Sequence, residues 1–138
     1  KTNDVAYTGN DIKKENRFVK IKFISNVANS APLYFEPAVT EMTVQVGKSY
    51  NTHYVMKNNS SKQLHTTASP SVTPGKYAEY FKKIECFCFN QQTINSGEIK
   101  DLGIQFVVDD DLPTNIGDIV LSYTMFDITN NVMESSKL

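Results

Sequence analysis

The chain has 138 residues, 14 basic and 15 acidic side chains, a formal net charge of −1 and 40 % hydrophobic content. That is one domain of ordinary size with enough apolar surface for a core, and it has no charge excess that would draw it to nucleic acid. No apolar run reaches the ~18 residues of a membrane helix, and the two cysteines, at positions 86 and 88, lie too close together to frame a fold by disulfide bonding.

Residues 1–16 are polar, with Gly9-Asn10-Asp11 and Lys13-Lys14-Glu15-Asn16, and read as a flexible leader. From Arg17 to Asn26 the chain alternates. Val19, Ile21 and Phe23 share one face and Lys20 and Lys22 the other, as in a half-buried strand. Asn29-Ser30-Ala31-Pro32 is a turn, Leu33-Tyr34-Phe35 a short strand stopped by Pro37, and Val39–Val46 a further strand ended by Gly47-Lys48. Ser49–Lys57 alternates again, with Tyr50, Thr52, Tyr54 and Met56 on one side. After a turn at Asn58-Asn59-Ser60-Ser61, Gln63–Val72 reads as a polar edge strand, since Pro70 would break a central ladder.

Thr73–Phe81 carries the one helical suggestion, a turn or two leading into a strand over Lys83–Phe89. Asn95-Ser96-Gly97-Glu98 is a turn, Leu102–Val108 an apolar strand, Asp109–Pro113 an acidic loop and Ile119–Phe126 a closing strand. The folded body is thus expected over 17–127, with 128–138 a flexible tail. Seven to nine short strands separated by turns predict an all-β fold, an antiparallel β-sandwich of immunoglobulin-like type. The Cys…Trp…Cys core of true immunoglobulin domains is absent, and so is any Trp.

Lys83-Ile84-Glu85-Cys86-Phe87-Cys88-Phe89 is the stretch that carries chemistry. On a strand, residues i and i+2 share a face, so Cys86 and Cys88 would present paired sulfurs while Phe87 and Phe89 pack into the core. Two soft thiolates on a rigid strand suit a soft ion, Cu(I) above all. Lys82 and Lys83 are the cations placed to favour the thiolates. Two other readings stay open: a pair of buried structural cysteines, or a thiol-redox or interaction domain cycling through a strained disulfide. Two ligands leave Cu(I) open to exchange, and four thiolates from two molecules would close it in a copper-bridged homodimer.

Other candidates are weaker. His53 and His65 stand far from the cysteines in sequence and read as strand-surface residues. Asp109-Asp110-Asp111 lacks the alternating ligands of a Ca²⁺ loop and reads as solvated. The Asn58–Ser61 turn contains glycosylation sequons, and Met125 reads as core.

Tyr80-Phe81-Lys82-Lys83-Ile84-Glu85-Cys86-Phe87-Cys88-Phe89-Asn90-Gln91-Gln92 closely resembles the signature of the CtaG family of cytochrome c oxidase assembly proteins. Val19–Asn26, Val72-Thr73-Pro74-Gly75 and Leu121-Ser122-Tyr123-Thr124 resemble it too, so that the likeness runs over about residues 17–126. The resemblance implies a copper chaperone, not an enzyme, with Cys86 and Cys88 as metal ligands. It implies Cu(I) taken from an upstream donor and delivered to the copper B site of oxidase subunit I. It further implies a single N-terminal membrane helix. The domain would then stand on the periplasmic side of a bacterial inner membrane, or on the intermembrane-space side of the mitochondrial one. That helix, and a cysteine that follows it in the family, are missing from the sequence, and Lys1–Tyr7 would stand at their junction with the cysteine removed or replaced. Leu102-Gly103 stands where relatives often carry Met before Pro, and Tyr34 where Trp is common.

Overall fold

Lysine–hydrophobe alternation makes the first strand. In β1 (Phe18–Val27) the core side takes Val19, Ile21 and Phe23 at 8, 0 and 3 % exposure, while Lys20 and Lys22 face solvent. The computed structural model describes residues 17–86, 91–114 and 117–130. Eight more strands follow: β2 (Leu33–Pro37), β3 (Glu41–Gln45), β4 (Ser49–Asn58), β5 (Leu64–Thr73), β6 (Phe81–Cys86), β7 (Gln92–Ile94), β8 (Ile99–Val108) and β9 (Ile119–Asp127). The helical suggestion is a 3-10 helix over Gly75–Tyr80.

The strands form two sheets, of order β3-β1-β9-β5-β7 and β2-β4-β8-β6, and the fold is the β-sandwich that the turn spacing predicts. One ladder departs from the antiparallel expectation: β1 and β9 run parallel, from Ile21↔Ile119 to Val27↔Met125. Only neighbours joined by a tight hairpin must be antiparallel, and these two are the first and last strands. The Pro70 expectation resolves in the same way. β7 pairs with β5 only over Leu64–Thr66, so the Pro70 part of β5 has an unpaired side where a missing N–H costs nothing. β7 itself has no sequence signal, being three residues long and mostly polar. The leader and residues 131–138 lie outside the described residues. Ile128 and Thr129, assigned to the tail by composition, hydrogen-bond to His65 through the Ile128 N–H (2.8 Å) and the Thr129 hydroxyl (3.0 Å).

Between the sheets the core is aromatic. Phe106 of β8, fully buried, meets Phe23 edge-on at 6.0 Å, Tyr50 at 6.2 Å and Phe81 at 6.1 Å. Tyr54 stacks on Phe35 at 5.0 Å and meets Tyr123 edge-on at 5.4 Å. Such pairs contribute roughly 0.5–1.5 kcal/mol each beyond area burial. The Tyr54 hydroxyl donates to the Ile24 carbonyl at 2.9 Å, tying the inner face of one sheet to the backbone of the other.

Burial holds both phenols above the ordinary tyrosine range, and Tyr123 adds to the shift at Tyr54. The neutral phenol is the form the fold favours. Its stabilising contribution is therefore complete below the unfolded value of about 10 and is lost as pH rises through the folded values. Urea unfolding is expected to show stability falling above pH ~10. The Tyr54→Phe variant should lose about 1 kcal/mol at neutral pH through the missing bond to Ile24.

Candidate metal centre

β6 carries the first cysteine, and its two ends are held differently. At the start, Phe81 is buried against Phe106. A bulge between Phe81 and Lys83 then re-registers the strand, and it pairs with β8 as Lys83↔Val107, Ile84↔Phe106, Glu85↔Gln105 and Cys86↔Ile104. Cys86 is the last residue of β6. β6 is an edge of the four-stranded sheet, and β7, the next strand, is an edge of the five-stranded one. Cys86 thus ends a strand of one sheet and Gln92 opens a strand of the other, and Cys88 lies outside the described residues. The expected opposition of two thiols to two rings falls on residues 87–89, outside the described residues.

Lys82, one of the two expected cations, stands beside a carboxylate. Its ammonium lies 4.0 Å from the Asp109 carboxylate, with the side chain 59 % exposed. Along a strand it stands four residues, roughly 13 Å, from Cys86. The side chain of Lys83, the second of these cations, lies outside the described residues.

The next strand, β7, depends on a residue that sequence reading missed. Asn58, the last residue of β4, is fully buried. Its Nδ2 donates to the carbonyls of Ile94 at 2.9 Å and Lys62 at 2.8 Å. Its Oδ1 accepts from the Ser60 N–H at 2.8 Å and the Ser60 hydroxyl at 2.7 Å. Its own N–H donates to Glu98 O at 3.1 Å, and its carbonyl accepts from Gly97 at 2.9 Å. A buried amide so fully engaged is not open to glycosylation. A signal was available: the inward series Tyr50, Thr52, Tyr54, Met56 continues to Asn58, placing an amide where the pattern calls for a hydrophobe.

The remaining candidates have ordinary roles. His65 Nδ1 lies 3.1 Å from the Thr93 hydroxyl, and His53 stands opposite Gly103 in the β4–β8 ladder. The carboxylates of Asp109, Asp110 and Asp111 lie within 4.8 Å of one another. Their loop is fixed by backbone bonds, Asp109 N to Tyr80 O at 2.6 Å and Asp111 N to Asp109 Oδ1 at 3.0 Å. Arg17 holds the far side of that loop through the carbonyls of Leu112 and Pro113. Met125 is buried core, as expected.

Fold and motif together define a β-sandwich in which edge strand β6 ends on the first cysteine of a Cys-Phe-Cys-Phe motif. The family model "Cytochrome c oxidase assembly protein CtaG/Cox11" matches residues 1–127, and the chain belongs to that family. It is 38 % identical over 113 residues to the mitochondrial cytochrome c oxidase assembly protein COX11 of Saccharomyces cerevisiae, covering 78 % of this chain and 38 % of the yeast protein. It is 36 % identical over 115 residues to the cytochrome c oxidase assembly protein CtaG of Brucella ovis, covering 80 % of this chain and 57 % of that one. The CtaG of Nitrobacter hamburgensis is 35 % identical over 117 residues, covering 81 % and 54 %. The chain thus spans from over a third to somewhat over half the length of these relatives.

Because Lys82 is engaged at the opposite end of β6, Lys82→Ala is expected to leave the pH profile of thiol alkylation unchanged. Iodoacetamide rates measured across pH check this. A profile moved to higher pH would restore Lys82 as the activating cation.

Proposed function

We propose that the domain is a Cu(I) chaperone that delivers copper to the copper B site of cytochrome c oxidase subunit I during oxidase assembly. Membership of a family of oxidase assembly proteins supports this, and the Cys86-Phe87-Cys88-Phe89 motif is the feature that carries it. Copper is cargo here, and no redox step is needed. Cys86 and Cys88 give up their protons as Cu(I) binds, since the thiolate is the ligand. Two soft ligands bind the ion while leaving it open to an acceptor's ligands, so it leaves by ligand exchange. Phe81 on Phe106 and Asn58 on Ile94 hold β6 and β7. The domain would receive copper from an upstream donor and work beside a membrane, anchored by a helix ahead of Lys1. It would face the periplasm in a bacterium or the intermembrane space in a mitochondrion.

Titration of the reduced protein with Cu(I), followed by thiolate-to-metal absorption, is expected to give stoichiometric binding. The Cys86→Ser, Cys88→Ser double variant should lose it. Full binding by that variant would end the proposal. A lone pair of sulfurs leaves copper exposed, whereas two molecules with bridging sulfurs would shield it. Sedimentation is therefore expected to show a monomeric reduced apo form that dimerises with Cu(I) and dissociates when a chelator removes the metal. A persistent monomer at full loading would refute the bridged dimer and leave the carrier role standing.

A further inference from the structure

We infer that the solvent face of the four-stranded sheet, where β2, β4 and β8 run side by side, is a docking surface for a basic protein segment. Register builds this surface. Tyr34, Lys57 and Ile99 form one cross-strand row, and Glu36, Val55 and Asp101 form the next. Their neighbours along the strands, Phe35, Tyr54, Met56 and Leu102 among them, are buried in the core. Alternation therefore turns both rows outward. Exposed apolar residues scattered singly need no explanation. Here Tyr34 and Ile99, 47 and 60 % exposed, share a row, with half-buried Val55 in the row beside them. A tyrosine so placed offers a large contact area that costs little conformational entropy to order.

Charge decides the occupant. Glu36 and Asp101 flank Val55 on either side, two strand spacings apart, or about 10 Å. Lys57, diagonal to both acids, is half-buried between Tyr34 and Ile99. Among the described residues neither Lys57 nor Asp101 forms an ion pair. Glu36 accepts a long bond of 3.4 Å from the Ser25 hydroxyl. An incoming apolar side chain that covers Val55 thus brings its flanks onto two unneutralised carboxylates. Lysine or arginine on those flanks is attracted, whereas aspartate, glutamate or a phosphate is repelled. A second copy is a poor occupant. Its outward row on β1 sets Lys20 and Lys22 between exposed Phe18 and Ile24, but those lysines already meet Glu41 at 3.6 Å and Asp118 at 3.1 Å. Two rows on three strands cover much less than the ~800 Å² per partner of a stable complex, so the contact is transient.

Amide NMR shifts of the isotope-labelled reduced chain test this, read during titration with the synthetic peptide acetyl-Lys-Leu-Lys-Leu-Lys-amide. Saturable shifts are expected at Tyr34, Val55, Ile99 and Asp101, and they should weaken as salt screens the exposed charges. The Glu36→Lys, Asp101→Lys variant should bind at least about 10-fold more weakly, because like charges then meet across the contact. Tyr34→Ser should also weaken binding. These positions face solvent, so unchanged shifts at buried Phe106 and Leu121 will verify the fold of each variant. The charge-reversed peptide acetyl-Glu-Leu-Glu-Leu-Glu-amide should move nothing. Shifts centred on Asp109–Asp111 instead, or undiminished binding by the charge-reversed variant, would overturn the inference. Binding of the acidic peptide would do the same. So would movement of the same amides with protein concentration alone, which would make the occupant a second copy. The Cys86→Ser, Cys88→Ser variant should bind the peptide as wild type does, which separates this surface from the proposed copper ligands. Loss of binding there would also overturn the assignment.

Discussion

Six hydrogen bonds converge on Asn58, and they supply what the hydrophobic core cannot. Apolar burial is non-directional. It requires Ile21, Tyr54, Phe106 and Leu121 to be inside, yet many relative placements of two stacked sheets would bury them. A buried amide is selective, because each donor or acceptor left unmet costs about 1–3 kcal/mol. In a placement that moved Ile94 or Ser60 away, Asn58 would forfeit several of these at once. The polar hub therefore selects one arrangement from those that the core tolerates.

A second constraint operates at the start of β6. Phe81 is locked against Phe106, and the strand then bulges at Lys82, the first of the charged residues Lys82, Lys83 and Glu85. Bulges and charges on an edge strand are the usual means by which a sheet refuses further pairing. β6 is such an edge, so another chain is discouraged from adding a strand beside the cysteine.

Much of this was legible in the sequence, because alternation reports burial wherever a strand has one face in the core. Val19, Ile21 and Phe23 in β1 and Ile104, Phe106 and Val108 in β8 face inward as their spacing requires. β7 was not legible, since three residues hold no periodicity and only tertiary contacts make Gln92–Ile94 a strand. The parallel β1–β9 pairing was also hidden, because alternation specifies faces and not neighbours. The cysteine motif was visible as a motif. The amide that holds the strand beyond it passed for a turn residue, because Asn is common in turns and only its inward parity marked it otherwise.

The proposed copper carriage makes opposed demands on a binding pair. A binding pair must be fixed in spacing, or ordering two free sulfurs consumes the affinity. It must also stay open, or the ion cannot leave. Sulfurs buried within a full ladder would meet the first demand and fail the second; sulfurs on a long free loop would do the reverse. Here Cys86 ends a strand registered in one sheet, and Gln92 opens a strand of the opposite sheet. Phe81 on Phe106 anchors the first of these strands and Asn58 on Ile94 the second.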